Sequence, residues 1–136
     1  MTIINNLYTQ DLSKRGFDVF VYGTLKKGFH NHSYLENETF LGNATSAIKL
    51  ILYEKHRLPY VHLHKDKLGK RIKGEVYRVS DLSLIDRLEG VPFHYQPKMI
   101  PVVFDEDESG TFYQCRCYMV ADYAPIESDE WLTEWT

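Results

Sequence analysis

The 136-residue chain has little cysteine: only Cys115 and Cys117, separated by one residue. On a strand, residues at this spacing face the same side, and a disulfide between them would strain the backbone. We therefore expect reduced thiols. A single domain of this length buries about two thirds of the surface of its unfolded chain, so one hydrophobic core is expected to stabilise the fold.

Long apolar runs and an excess of positive charge are also missing. No stretch approaches the ~20 apolar residues of a membrane helix. The first 16 residues lack the charged start and apolar block of a secretory signal. Lys and Arg number 16 against 19 Asp and Glu, for a net charge of −3. Nothing here predicts attraction to nucleic acid or to an anionic membrane. We expect a cytoplasmic protein without such partners.

One nucleotide-binding motif is incomplete, and one motif for a serine nucleophile is absent. Gly23 and Gly28 have the spacing of the glycines in a P-loop, but Phe29 and His30 stand where the phosphate-binding Lys and the Ser or Thr belong. The G-x-S-x-G signature of serine hydrolases does not occur. The chain is therefore not predicted to bind a nucleotide in this way or to use a serine nucleophile.

A zinc site is the one metal site that the sequence suggests. His62-x-His64 and Cys115-x-Cys117 supply four candidate ligands. They would form a site only if two strands placed both pairs on one face. We interpret these residues as ordinary strand positions, and we expect no metal and no cofactor.

Short β-type segments dominate the chain. Strands are predicted over residues 18–22, 47–53, 60–64, 72–79, 98–104 and 111–121. A short helix is predicted over 31–36, and an acidic hairpin turn over 105–110. Residues 1–17 are interpreted as a polar N-terminal arm, and residues 18–136 as one domain. Many strands with one clear helix favour an α+β fold with a closed or strongly curved sheet over a doubly wound one.

The clearest helix signal follows residue 79. Ser80 or Asp81 can cap the helix, Gly90 marks its end, and Pro92 prevents its continuation. Three apolar residues at helical spacing form the face that should pack on the core: Leu82, Ile85 and Leu88.

Glu89 is the unusual residue of this helix. It lies four residues after Ile85, which places its carboxylate on or beside the apolar face. A carboxylate gains nothing from the negative end of a helix dipole. Burial and this position should both raise its pKa. The alternative is a glutamate in a frayed last turn that points to solvent.

The segment "FVYGTLKKG" ends the first predicted strand in a turn. Gly23 has no side chain, so the turn can direct consecutive N–H groups into a cavity. Such donors suit a carboxylate or a developing oxyanion. The alternative is a plain corner between a strand and a helix. Tyr95, which follows the helix, is expected near the same wall, either as a hydrogen-bonding partner of a ligand or as an ordinary packed tyrosine.

Three segments together resemble one family. "VFVYGTLKKG", "IKGEVYRV" and "LIDRLEGVPFHYQ" are similar to γ-glutamylcyclotransferase-like proteins, most closely to γ-glutamylamine cyclotransferases and AIG2-like proteins; the resemblance spans residues 18–121. It implies a small mixed, mostly antiparallel β-barrel with short flanking helices. It also implies a reaction in which the α-amine of a γ-glutamyl group attacks its own γ-carbonyl. The products are 5-oxoproline and a free amine.

The resemblance also assigns site residues. It implies that Glu89 is the catalytic general acid and base. It implies that four residues line the substrate pocket through their backbone: Tyr22, Gly23, Thr24 and Leu25. The expected partner is a small γ-glutamyl compound whose amine the sequence does not name. The alternatives are a non-catalytic AIG2-like binding or regulatory protein that keeps the pocket, and a hydrolase or isomerase of a γ-glutamyl compound.

Overall fold

The computed structural model describes residues 16–91, 94–120 and 128–136. This part of the chain forms seven strands and one α-helix, α1, which spans Ser83–Leu88. Two short 3₁₀ turns cover His32–Leu35 and Ser128–Glu130. The strands are β1 (Phe17–Val21), β2 (Thr39–Ser46), β3 (Ile51–Lys55), β4 (Leu58–His62), β5 (Lys73–Val79), β6 (Tyr95–Phe104) and β7 (Phe112–Val120).

Five of the strands form a closed barrel in the order β1-β5-β2-β6-β7. Neighbouring strands are antiparallel except where the barrel closes, because β1 pairs with β7 in parallel, with Val19 opposite Arg116. Alternate residues point inward and build the core, which includes Phe20, Val76, Val102 and Cys115. The predicted mixed, mostly antiparallel barrel of an α+β fold is confirmed.

The remaining two strands form a separate hairpin. β3 and β4 pair with each other, and His56 and Arg57 make the turn between them with positive φ angles of 53° and 66°. The predicted single strand over 47–53 is wrong in its bounds, because the chain leaves the barrel after β2 and starts β3 at Ile51. β2 escaped prediction since Gly42 introduces a bulge and the strand alternates too weakly to show a period of two.

Helix α1 packs on the outside of the barrel. Ile85 is buried in a second apolar cluster with Val19 and Leu35, and Leu82 and Leu88 pack against that cluster, so the predicted apolar face is confirmed. The helix begins later than the predicted caps. Asp81 nonetheless accepts hydrogen bonds from the backbone N–H of Ser83, at 2.9 Å, and from its hydroxyl, at 2.8 Å.

The segment after residue 127 fastens the hairpin to the barrel. The Leu132 N–H donates to the carbonyl of Leu52 at 2.8 Å, and the Lys73 N–H donates to that of Thr133 at 2.7 Å. The N-terminal arm predicted for residues 1–17 lies almost wholly outside the described residues and stays a prediction. None of the helices in the described part of the chain is long and apolar enough to cross a membrane.

Both cysteines lie in the barrel interior. Cys115 and Cys117 are buried and their thiols are free. Burial raises the pKa of both, for Cys115 to about 12. Over residues 16–91, 94–120 and 128–136, no group of three or more His, Cys, Asp or Glu side chains is arranged to hold a metal ion.

Candidate active site

A pocket opens where β1 ends. The pocket brings together all six residues singled out from the sequence: Tyr22, Gly23, Thr24, Leu25, Glu89 and Tyr95. The remaining lining residues are Phe20, Val21, Leu58, Pro59 and Tyr118.

The turn after β1 has its carbonyl groups occupied. The carbonyl oxygens of Gly23 and Thr24 accept from the N–H groups of Lys26 and Asn31, each at 3.0 Å. The carbonyl of Leu25 lies 2.9 Å from Nδ1 of His32. In contrast, the N–H groups of residues 23–25 have no hydrogen-bond acceptor among the described residues. These three residues all line the pocket.

Gly23 also permits a close approach of the β3–β4 hairpin. A Cβ atom at this position would lie 2.6 Å from Cγ of Pro59, far inside van der Waals contact. Leu58 and Pro59 at the start of β4 therefore pack directly on the turn and form one wall of the pocket. The glycine serves the packing of this wall as well as the conformation of the turn.

Glu89 is the C-cap residue directly after α1, and the end of the helix is well defined. The N–H of Gly90 donates to the carbonyl of Arg87 at 3.1 Å, and the N–H of Val91 donates to that of Asp86 at 3.0 Å. With Gly90 at a φ of +67°, this is a Schellman motif that surrounds Glu89. The last turn of the helix is therefore ordered by this motif and is not frayed.

The Glu89 carboxyl lies in apolar surroundings. It is partly buried, and burial raises its pKa to about 7, from an ordinary value of 4.5. No described residue donates a hydrogen bond to this carboxylate or forms an ion pair with it. A carboxyl with this pKa can both accept and return a proton near neutral pH.

Two tyrosines hold the pocket wall in place. The Tyr22 hydroxyl donates to the carbonyl of Tyr118 at 2.6 Å, and the Tyr95 hydroxyl donates to that of Pro59 at 3.2 Å. The Tyr95 ring stacks on Tyr60, with centroids 5.9 Å apart. Burial, together with the nearby charge of Glu89, raises the pKa of Tyr22 and Tyr95, so both hydroxyls are neutral at working pH. Because Tyr95 already donates to the protein, its oxygen is available to a ligand only as an acceptor.

Five lining residues were missed by sequence reasoning, and two of them, Phe20 and Val21, belong to β1 directly before the predicted residues. Leu58 and Pro59 reach the pocket only because the hairpin folds onto the turn, and no periodic signal encodes that contact. On β7, Tyr118 points to the face of the strand opposite to that of the inward cysteines, Cys115 and Cys117. The alternation of residues along the strand could have predicted this orientation from the sequence.

Known proteins resemble this chain in both sequence and fold. A profile of the family described as gamma-glutamyl cyclotransferase, AIG2-like, matches residues 19–133. The chain is 35% identical over 127 residues to the gamma-glutamylaminecyclotransferase of Rattus norvegicus, covering 84% of this chain and 82% of that one. It is 42% identical over 90 residues to a putative gamma-glutamylcyclotransferase of Methanocaldococcus jannaschii, covering 64% and 72%. The crystal structure of an AIG2-like protein from Mus musculus matches with a TM-score of 0.77 at 28% identity, covering 90% and 89%.

Proposed function

This chain belongs to the gamma-glutamyl cyclotransferase, AIG2-like family and is an enzyme of that type. From this premise we propose that it releases 5-oxoproline and a free amine from γ-glutamyl amines or γ-glutamyl amino acids. We propose Glu89 as the general base and acid of this reaction. One observation carries the proposal. A partly buried carboxyl with a pKa of about 7 shares a pocket with a turn whose N–H groups have no described acceptor.

The first step is removal of a proton. The α-amine of the substrate arrives as an ammonium group, which cannot act as a nucleophile. Glu89 takes the proton, and the amine attacks the γ-carbonyl carbon of the same molecule. Because the attack is intramolecular, the pocket needs only to hold the γ-glutamyl chain folded, with the amine beside the carbonyl.

The second step is the collapse of the tetrahedral intermediate. Its oxyanion requires hydrogen-bond donors, and the N–H groups of residues 23–25 are suitable ones. The bond from the γ-carbon to the leaving nitrogen then breaks as Glu89 returns its proton to that nitrogen. The ring nitrogen still carries one proton too many after the attack, and it gives that proton to the departing amine, which leaves as an ammonium ion. Glu89 is thus restored to its starting charge, and no external co-reactant is consumed.

The substrate side of the pocket has a definite polarity. Apart from Glu89, the lining side chains are apolar, aromatic or hydroxylic, and none of the described lining residues is cationic. The nearby ammonium group of Lys26 is buried, and it donates to the carbonyl of Trp135 at 2.6 Å. The α-carboxylate of the γ-glutamyl group therefore shares the backbone N–H donors of the turn with the oxyanion, since no described lining side chain is cationic.

The test is release of 5-oxoproline from a panel of γ-glutamyl compounds. We would compare γ-glutamyl-ε-lysine, a γ-glutamyl amino acid and glutathione, and quantify 5-oxoproline, glutamate and the free amine. The expected result is equal amounts of 5-oxoproline and amine from at least one compound. An N-acetylated version of that compound should be inert, because its nitrogen cannot attack. Release of glutamate would instead indicate a hydrolase, and binding without turnover would indicate a non-catalytic binding protein.

A further inference from the structure

A polar cluster beside the pocket joins α1 to β7. Oδ1 and Oδ2 of Asp86 lie 3.1 and 3.3 Å from Nη2 of Arg116. The hydroxyl of Tyr118 donates to Oδ1 of Asp86, and Nε of Arg116 donates to the Tyr118 hydroxyl at 3.1 Å. The three side chains form a closed triangle, in which each residue bonds to the other two.

This triangle is connected to the pocket at two points. Tyr118 lines the pocket, and its backbone carbonyl accepts the hydrogen bond of Tyr22. Asp86 lies on α1, three residues before the C-cap residue Glu89, and its carbonyl accepts the Val91 N–H in the Schellman motif that surrounds Glu89. A shift of Asp86 therefore moves Glu89 as well.

Apolar packing alone holds the helix weakly. Helix α1 has only six residues, too few to be stable without tertiary contacts, and Ile85 is its only fully buried side chain. The side chains of Arg116 and Asp86 remain 23% and 31% exposed, so their ion pair adds little to global stability. Its geometric effect is larger, because three convergent hydrogen bonds fix the helix against one strand.

We infer that Asp86 is a positioning residue for the cyclisation: through Arg116 and Tyr118 it holds α1 on β7 and keeps the Glu89 carboxyl in the pocket. The inference rests on the proposed role of Glu89. Misplacement of a catalytic group by about 1 Å can cost about 100-fold in rate, so loosening this anchor is expected to affect turnover more than folding.

The surroundings of Glu89 supply a readout that a merely structural role would not move. The titratable groups that face Glu89 are Tyr22, Tyr95 and Cys117, from three different elements. All three have a raised pKa and are uncharged near neutrality. The pKa of Glu89 therefore reports its burial, and it should fall if a loosened helix admits water.

The experiment compares three variants with the wild type. Asp86→Ala removes the anchor, Asp86→Asn removes the charge but keeps an oxygen acceptor for Tyr118 and Arg116, and Arg87→Ala changes an exposed neighbour on the same helix. For each we would measure kcat, KM, melting temperature and the pKa of Glu89 by carboxyl-carbon NMR. We expect Asp86→Ala to lower kcat about 10- to 100-fold, with the Glu89 pKa shifted toward 4.5. Asp86→Asn and Arg87→Ala should stay within a few-fold of the wild type in kcat.

Each other outcome overturns the inference. An unchanged kcat and Glu89 pKa in Asp86→Ala would show that the anchor is dispensable. Equal effects of Asp86→Asn and Asp86→Ala would indicate an effect of charge, and an equal effect of Arg87→Ala would indicate general damage to the helix. Failure of the proposed function is distinguishable, since it would appear as an inactive wild type or a fully active Glu89→Gln, while the NMR titration still tests the anchor.

Discussion

Replacing Glu89 with Gln should change how the stability of the protein depends on pH. The substitution keeps the shape of the side chain and removes its titration. In the folded chain the carboxyl has a pKa of about 7, against an ordinary value of 4.5. The difference of about 2.5 units corresponds to about 3 kcal/mol, at about 1.4 kcal/mol for each unit.

The sign follows from proton binding. Between pH 4.5 and 7 the folded state holds the Glu89 proton while the unfolded chain has released it. The free energy of unfolding of the wild type therefore falls as pH rises through this window and levels off above it. Gln carries no such dependence. The Gln variant is expected to exceed the wild type by up to about 3 kcal/mol above pH 7 and to approach it below pH 4.5.

Urea unfolding of both proteins at pH 4.5, 6 and 8 measures this difference directly, because other titrating groups cancel between them. Glu106→Gln, at an exposed position of the acidic turn, is the matched control and should show no such trend. A difference between Glu89→Gln and wild type that stays constant with pH would refute the assignment of a raised pKa to Glu89.

Three further predictions concern packing and thiol chemistry. Gly23→Ala places a Cβ atom 2.6 Å from Pro59, so it should lower stability by about 1–3 kcal/mol in urea titrations and reduce kcat/KM; wild-type values would mean that the hairpin yields freely. Gly90→Ala puts an alanine at a φ of +67° and should cost about 1–2 kcal/mol, whereas an unchanged unfolding midpoint would contradict the Schellman end of α1. A thiol reagent at pH 8 should modify Cys115 and Cys117 only as fast as the protein unfolds, because both are buried with a raised pKa; rapid labelling of the folded protein would show that the barrel interior is open.

Local sequence patterns predicted the elements around the site better than they predicted the whole fold. The buried first strand, the phase of α1 and its end at Gly90 all follow from short-range sequence signals. These signals are strong because helix phase and glycine conformation depend on few neighbours. The prediction that Glu89 and the Gly23 turn share one pocket came from the family resemblance, and both line the pocket in the structure.

What could not be predicted depends on distant contacts. The Gly42 bulge weakens the alternation of β2, so the strand was not recognised as separate from β3. The packing of Pro59 on Gly23 and the pairing of Asp86 with Arg116 join residues about 30 or more positions apart. Both contacts form between segments that only the closed barrel brings together. The periodicity of a single sequence describes near neighbours along the chain, so it does not predict such contacts.

The central claim is that Glu89 moves the proton in the cyclisation. The most direct measurement is the rate of 5-oxoproline release by wild type and Glu89→Gln at saturating γ-glutamyl substrate, with melting curves of both proteins. The account predicts a loss of roughly 10²–10⁴-fold in kcat in a variant at least as stable as the wild type at pH 8. Near-wild-type turnover by the folded Gln variant would contradict it.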